Sequence, residues 1–269
     1  MENLETNIKE EIKTGKNIAV NILRLAKSGK RNLRFIIGEI LKKHNASHLF
    51  DEIFTTVSEL TFNAIKANYK HILIKDKLNE YLASSNAAHK LKQVMANKTL
   101  YNGYVKNINI DSINKLVRAT LTKEEQVNKI LEKVKKENRK LFPDEKTTIK
   151  ENLSMMRRAQ SENIKVFLNF NFDKNNVIID IINDSPITEN DLERINEKRT
   201  NFSKYLAEGR EQDFYIENLD ETESAGFGLA MIDSRLFNFG INPLKNFQIF
   251  GIGNKTCLTI TFPINLNTD

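Results

Sequence analysis

The sequence predicts an α+β fold, in which β-hairpins and amphipathic helices occupy separate stretches of the chain. Two pairs of apolar runs carry turn residues between them: 164–172 and 177–182 flank Asp-Lys-Asn-Asn, and 247–252 and 256–263 flank Gly253-Asn254. This arrangement is typical of antiparallel hairpins. Elsewhere, most apolar residues recur at helical rather than alternating spacing, which favours helices over further strands.

The segment from residue 50 to residue 68 predicts a helix with two distinct faces. Its apolar side chains form one stripe: Phe50, Ile53, Val57, Leu60 and Ala64. Glu59, Asn63 and Lys66 are spaced by four and three residues and therefore share another face. A carboxylate that orients water, an amide oxygen for a hard cation and an ammonium group for phosphate suit a magnesium nucleotide. A solvated polar face is the alternative interpretation.

A glycine-bearing loop that leads into an apolar helix is predicted at 224–232. Gly226 and Gly228 allow close approach of the backbone, and Leu229 begins the apolar stretch. The N-terminus of the following helix offers free N–H groups to phosphate oxygens. Gly240 is placed to end that helix. Alone, such a glycine pair is a common turn pattern.

In this order, the polar helix and the glycine turn resemble the N-box and second glycine box of the GHKL ATPase superfamily, most closely its histidine-kinase branch. The resemblance covers residues 46–70 and 163–265. It implies a two-layer α/β sandwich, the Bergerat ATP-binding fold, with a mixed, mainly antiparallel sheet and helices on one face. It also implies the cofactors Mg²⁺ and ATP. Asn63 would then hold Mg²⁺ and Glu59 would be the catalytic carboxylate. The implied phosphate-side residues are Lys66, Gly226, Gly228 and Leu229.

The family's third element is an Asp-x-Gly-x-Gly stretch at the end of a strand, whose Asp accepts a hydrogen bond from the adenine amino group. Here Asn183 stands in place of that Asp, and Ser185 stands in place of the first glycine. Loss of a charge-assisted hydrogen bond costs about 1–2 kcal/mol. Asp184 points to the opposite face in a regular strand. Thr256 loosely matches a family threonine near the phosphates.

Three regions are predicted: an N-terminal helical segment at 1–45, the ATP-binding domain at 46–74 and 163–269, and a helical insertion at 75–162. In the insertion, Thr122-Lys-Glu-Glu125 predicts the start of a helix through a capping box, and Phe142-Pro143 its end. A later helix is predicted at 147–160. The insertion either pads the core or docks a partner, and its pattern fits both.

In the family, a mobile lid lies between the two glycine boxes, and residues 188–223 occupy that place. This segment is charged and includes four basic candidates for phosphate contact: Lys198, Arg199, Lys204 and Arg210. Most charges in such a segment are solvated.

Composition favours a cytoplasmic protein. The net charge of +6 is spread along the chain, and no pattern of a nucleic-acid-binding module is present, so nucleic acid is not a predicted partner. Cys257 is the single cysteine, which excludes an internal disulfide. No apolar run is long enough to cross a bilayer, and the charged N-terminus lacks a signal-peptide core.

The leading hypothesis is a cytosolic ATP-binding signalling protein of the histidine-kinase-like type. It would bind ATP or ADP and either phosphorylate a partner protein or switch its contacts, and a homodimer is possible. The four histidines are His44, His48, His71 and His89, and none stands in the setting of a phospho-acceptor. The alternative hypothesis is a degenerate adaptor of the same fold that binds protein partners without nucleotide turnover.

Overall fold

The structure, a computed structural model, describes residues 2–217 and 225–264. Within them, five strands form one antiparallel sheet in the order β1-β2-β3-β5-β4. The strands are β1 (Ile18–Ile22), β2 (Val166–Phe172), β3 (Asn176–Asn183), β4 (Phe247–Ile252) and β5 (Lys255–Pro263). The α+β prediction is therefore confirmed. The sheet is antiparallel throughout and not mixed.

Helices make up most of the remaining chain. The N-terminal and central helices are α1 (Glu2–Thr14), α2 (Lys27–Lys43) and α3 (Phe50–Ser84). The next five are α4 (Leu91–Ala96), α5 (Lys98–Val105), α6 (Ile110–Lys136), α7 (Pro143–Asn152) and α8 (Ser154–Ser161). The last four are α9 (Glu189–Ala207), α10 (Glu211–Glu217), α11 (Ala225–Asn238) and α12 (Pro243–Asn246).

The sheet buries one of its faces against helices, chiefly α3. Alternate residues of β2 and β3 are buried, beginning with Val166 and Val177 respectively, while the residues between them are partly exposed. This period of two is what a sheet covered on one face requires. The alternation of β3 ends with Asn183, which is 2% exposed and lies on the helix side of the sheet.

Both predicted hairpins are present. At the β2–β3 turn, a carboxylate oxygen of Asp173 accepts hydrogen bonds from the backbone N–H groups of Asn175 and Asn176 at 2.7 and 2.8 Å. At the β4–β5 turn, Gly253 has φ +56°, a left-handed conformation that glycine adopts at no steric cost. Gly240, φ +71°, follows the end of α11 as predicted.

The expectation of helix throughout residues 1–45 is wrong at β1. The two end residues of β1, Ile18 and Ile22, are buried and Val20 between them is half-buried, and the strand pairs with β2 at one edge of the sheet. The β-branched residues of this short run suit a pleated, half-buried surface, so the tertiary pairing decides its conformation.

The predicted helix start at Thr122 is also wrong. Thr122 lies in the middle of α6, where its hydroxyl donates to the carbonyl oxygen of Arg118 at 3.1 Å. The helix begins instead after Asn109, whose side-chain oxygen accepts from the N–H of Ser112. A break precedes Pro143 as predicted, but α6 already ends at Lys136, and Pro143 begins α7.

Most helices and the sheet share one large hydrophobic core, and a second, small cluster of Phe202, Leu206, Phe214 and Ala230 joins α9, α10 and α11. The large core joins residues of α1, α2, α3 and the strands to insertion residues such as Val94, Tyr101 and Ile113. α3 continues to Ser84, so the first ten residues assigned to the insertion extend the helix that carries the candidate site. Among the described residues, no helix combines the length and apolar character needed to cross a membrane.

Candidate functional site

The polar face of α3 forms a chain of side-chain contacts. Nδ2 of Asn63 donates to Oε1 of Glu59 at 3.4 Å, and Nζ of Lys66 donates to Oδ1 of Asn63 at 3.3 Å. The Lys66 ammonium also lies 4.6 Å from the centre of the Phe62 ring. The opposite stripe is buried as predicted at Ile53, Val57, Leu60 and Ala64, while Phe50 is half-buried. α3 therefore rests on the core with one face and presents three polar groups with another.

Gly228 lies directly against this polar face. A Cβ at Gly228 would stand 3.5 Å from Nδ2 of Asn63 and 3.7 Å from Oε1 of Glu59. Gly226 and Gly228 both lie in the first turn of α11, so the expected glycine loop is helix at these two positions. The contacts of Gly226, and the whole of Ser224 at the start of the predicted loop, fall outside what the structure describes.

At the end of the sheet, Asn183 and Thr256 are opposite each other on paired strands. The hydroxyl of Thr256 donates to the carbonyl oxygen of Ser185 at 2.7 Å, and Nδ2 of Asn183 donates to the same oxygen at 3.4 Å. With its NH₂ group directed to Ser185, the Asn183 amide can present its oxygen as an acceptor.

Asp184 takes no part in this cluster. One carboxylate oxygen accepts from the N–H of Lys165 at 2.9 Å, and the other pairs with Nζ of Lys255 at 2.7 Å. The prediction that it faces away from Asn183 is confirmed. The residue therefore does not substitute for the aspartate expected at position 183.

A single cavity of about 1110 Å³ collects most of the predicted site residues. Its lining includes Glu59, Asn63, Lys66, Asn183, Ser185, Gly228, Leu229 and Thr256. These residues come from α3, the end of β3 and the loop after it, α11 and β5, so the fold brings distant parts of the chain to one cleft. This volume is slightly above the roughly 300–1,000 Å³ range of ligand pockets and leaves room for a nucleotide.

The predicted lid segment contains one helix that is firmly anchored. On α9, Arg199 is buried and donates two hydrogen bonds of 2.8 Å to the carboxylate of Asp233 on α11. It also donates to the carbonyl oxygens of Phe247 and Pro243 at 3.0 and 3.1 Å. Burial raises the pKa of the Asp233 carboxyl, and the guanidinium opposes that shift. The guanidinium is thus held by four structural hydrogen bonds.

The other basic candidates of this segment differ in position. Lys198 lines the cavity. Lys204 is exposed on α9, and Arg210 pairs with Asp213 at 2.8 Å and with Glu208 at 3.1 Å. Of the four, Lys198 and Arg199 therefore both have lining positions, and the guanidinium of Arg199 is bound to Asp233 and to two carbonyl oxygens.

Several lining residues were not predicted from sequence. On α3 the lining continues past Lys66 through Ala67, Lys70 and Ile74, at the same helical spacing. Extension of the stripe by two turns would have found them. The insertion also contributes, through residues that include Tyr101, Asn102, Val117 and Leu121. Their part depends on how α5 and α6 pack, and no local pattern signals it.

No protein-family model, curated protein or solved structure matches this chain.

Proposed function

We propose that this chain is a magnesium-nucleotide-binding signalling protein with a GHKL-type site, in a Bergerat-like arrangement of the α3 layer on the sheet. One observation carries the proposal. The Glu59–Asn63–Lys66 face and Gly228 are far apart in sequence, yet they are in contact and line the same cavity as Asn183 and Thr256. A structural role alone does not require a polar helix face, a glycine in a helix and an inward-facing amide to converge on an open cavity.

Each residue has a distinct role in the proposal. Asn63 would hold Mg²⁺ through its amide oxygen, and Lys66 would meet a phosphate group. Glu59, which is exposed at the cleft, would orient a water molecule. The oxygen of Asn183 would accept from the adenine amino group, while Gly226 and Gly228 allow phosphate to approach the first turn of α11.

The donor set fits a cation that arrives with a nucleotide. Oδ1 of Asn63 accepts from the Lys66 ammonium at 3.3 Å, so Lys66 would move from this oxygen to a phosphate group when Mg²⁺ binds. Among the described residues, no group of three or more His, Cys, Asp or Glu side chains is placed to hold a metal ion. Because Mg²⁺ usually binds through few protein ligands together with phosphate and water, one amide with a nearby carboxylate suffices. When bound, the ion would neutralise phosphate charge.

The signalling outcome follows from what the site lacks. Glu59 is the proposed general base, and the four histidines of the chain offer no acceptor pattern, so the phosphoryl group would go to a separate protein or to water. A nucleotide-dependent change of partner contacts would serve the same purpose without transfer. The site then reports nucleotide occupancy to a protein partner in either case.

Isothermal titration calorimetry with ATP, in the presence and absence of Mg²⁺, tests the proposal. We expect wild-type protein to bind MgATP and Asn63→Ala to weaken that binding by at least about tenfold. Asn196→Ala is the matched control, because Asn196 is exposed on α9 and does not line the cavity. Equal affinities for all three proteins, or no binding by wild type, would refute the proposal.

The second candidate is an adaptor that keeps the fold and binds no nucleotide. The Lys66 contact favours it, because the ammonium satisfies the oxygen that would bind Mg²⁺. The Asn183 contact to Ser185 is similarly internal. This candidate predicts the same melting temperature with and without millimolar ADP. A dose-dependent rise of the melting temperature would exclude it.

A further inference from the structure

The cavity extends well beyond the residues that resemble a GHKL site. From Asn63, its α3 wall continues to Ile74, a distance of eleven residues or about 16 Å along the helix. Opposite this extension stand apolar side chains of the insertion. They are Tyr101, Val105, Ile108, Val117 and Leu121. Polar and basic side chains of the insertion, among them Asn102, Lys106 and Arg118, line the cleft as well. The insertion thus builds a second wall for the same cleft, with an apolar part formed by those five apolar side chains.

Specific contacts hold this wall at the Asn183 end of the cleft. Lys98 of α5 pairs at 3.1 Å with Glu189, which begins α9 six residues after Asn183. The rings of Tyr101 and His71 lie 6.0 Å apart, which places α5 beside α3 at the level of residue 71. The two ends of the cleft therefore differ in what surrounds them. The insertion lies at the Asn183 end, and Gly228 lies at the other end, beside Glu59 and Asn63 of α3.

α6 is fixed to the same region by a buried polar contact. The hydroxyl of Tyr69 on α3 donates to Glu124 on α6 at 2.8 Å, and Tyr69 and Glu124 are 1% and 3% exposed. If α6 shifted, the buried Tyr69 and Glu124 groups would lose their hydrogen-bond partners at a cost in free energy. The contact therefore favours one position of α6 on α3. The wall formed by Val117 and Leu121 is thereby held in a defined place.

We infer that the insertion supplies the far wall of the base-binding site and thereby sets which nucleobase the cleft accepts. A nucleobase has two apolar faces and a polar edge. The faces suit the aliphatic side chains of α6, and the edge suits the Asn183 amide. Asn102 adds a second polar group: it lines the cavity, and its Oδ1 is buried without a hydrogen-bond partner in the described structure. Rotation of the Asn102 side-chain amide would direct this unpaired oxygen toward the base.

This inference rests on the proposed function. It predicts that the insertion contributes to the affinity for MgATP through the nucleobase and not through the phosphates. Leu121→Ala removes apolar wall, whereas Leu116→Ala alters the same helix at a side chain that is 50% exposed and outside the cavity. We expect Leu121→Ala to weaken MgATP binding by about fivefold to tenfold and Leu116→Ala by less than about twofold. Circular dichroism and thermal melting of both variants establish that the insertion remains folded.

Inorganic tripolyphosphate with Mg²⁺, used as a competitor of ATP, separates the two ends of the cleft. The inference requires that its affinity be the same for wild type and Leu121→Ala. Equal MgATP affinities for Leu121→Ala and Leu116→Ala, with wild type binding normally, would overturn the inference and leave the proposed function intact. Equal losses of ATP and tripolyphosphate binding in Leu121→Ala would also overturn it. Absence of ATP binding by wild type would instead refute the proposed function itself.

Discussion

Gly228 and Asn63 are 165 positions apart in the chain, and their backbone and side chain meet across the cleft. The 3.5 Å between Nδ2 of Asn63 and the Cβ position of Gly228 is an ordinary van der Waals distance. A methyl group therefore fits sterically, but it fills the space between α11 and the polar face of α3. A substitution of Gly228 by alanine can therefore alter ligand binding without a steric cost to folding.

Gly228→Ala is expected to preserve the fold and impair the site. Alanine is favoured over glycine in a helix by up to about 1 kcal/mol, so the free energy of unfolding should stay constant or rise. MgATP affinity should fall by about tenfold, because the methyl group blocks phosphate from the first turn of α11. Urea unfolding and calorimetry measure the two quantities.

The control is Gly38→Ala, a glycine inside α2 whose Cβ would meet only the Phe50 ring, at 3.6 Å. It should leave ATP affinity unchanged. If Gly228→Ala also binds ATP with wild-type affinity, phosphate does not approach the first turn of α11 at Gly228.

Asn183→Leu should reduce affinity for the base without loosening the sheet end. The Thr256 hydroxyl still donates to Ser185 in this variant, so the loop after β3 keeps its shorter hydrogen bond. Loss of the amide acceptor should weaken MgATP binding by about tenfold, with tripolyphosphate unaffected. Asn171→Leu is a suitable comparison, because Asn171 makes a weak 3.4 Å contact to Asp180 on a neighbouring strand. A similar small effect in both variants would count against a role for Asn183.

Much of the fold is predictable because its signals are local. Turn residues and alternation define both hairpins, and the spacing of apolar residues defines the buried stripe of α3. Strand β1 is missed because its partner β2 lies almost 150 residues away, so long-range pairing determines its structure. The false capping box at Thr122 has the opposite cause: a local motif occurs inside a helix whose flanking residues continue it.

The candidate site divides in the same way. The helical period places Glu59, Asn63 and Lys66 on one face, and the strand period places Asn183 inward and Asp184 outward. The insertion's wall is not predictable from local patterns, because Leu121 reaches the cleft only through the packing of α6 on α3. Arg199 is a further example. Its charge in the sequence suggests a phosphate ligand, but in the structure it pairs with the buried Asp233.

Asp233→Ala should destabilise the protein strongly. It leaves the Arg199 guanidinium buried with only two carbonyl partners, and removal of one member of a buried pair costs about 3–5 kcal/mol. Arg210→Met, which breaks an exposed pair, should cost less than about 1 kcal/mol. Urea unfolding of Asp233→Ala and Arg210→Met measures the free energy lost in each variant. The double variant Arg199→Met/Asp233→Leu should recover part of the loss, and a loss that persists in full would argue that the ion pair itself is not its source.

Mild acid should lower the stability of the fold through His71. Its Nδ1 is buried without a partner in the described structure, and burial, assisted by the Lys75 charge, lowers its pKa to about 4. Asp184 and Glu162 oppose this shift, and the Tyr101 ring faces the imidazole from the insertion. Below its ordinary pKa of 6.5, the unfolded chain binds a proton that the folded chain refuses.

The contribution of His71 to stability is therefore complete above pH 6.5 and is lost progressively as the pH falls toward about 4, by up to about 3 kcal/mol. His71→Phe keeps a ring beside Tyr101 and removes the titration, so its free energy of unfolding should change less between pH 7 and pH 5. His44, whose pKa is also lowered by burial, leaves a residual slope in the same direction. Urea unfolding at each pH gives both curves. Parallel curves for wild type and His71→Phe would show that the imidazole takes up its proton as readily in the folded chain as in the unfolded chain.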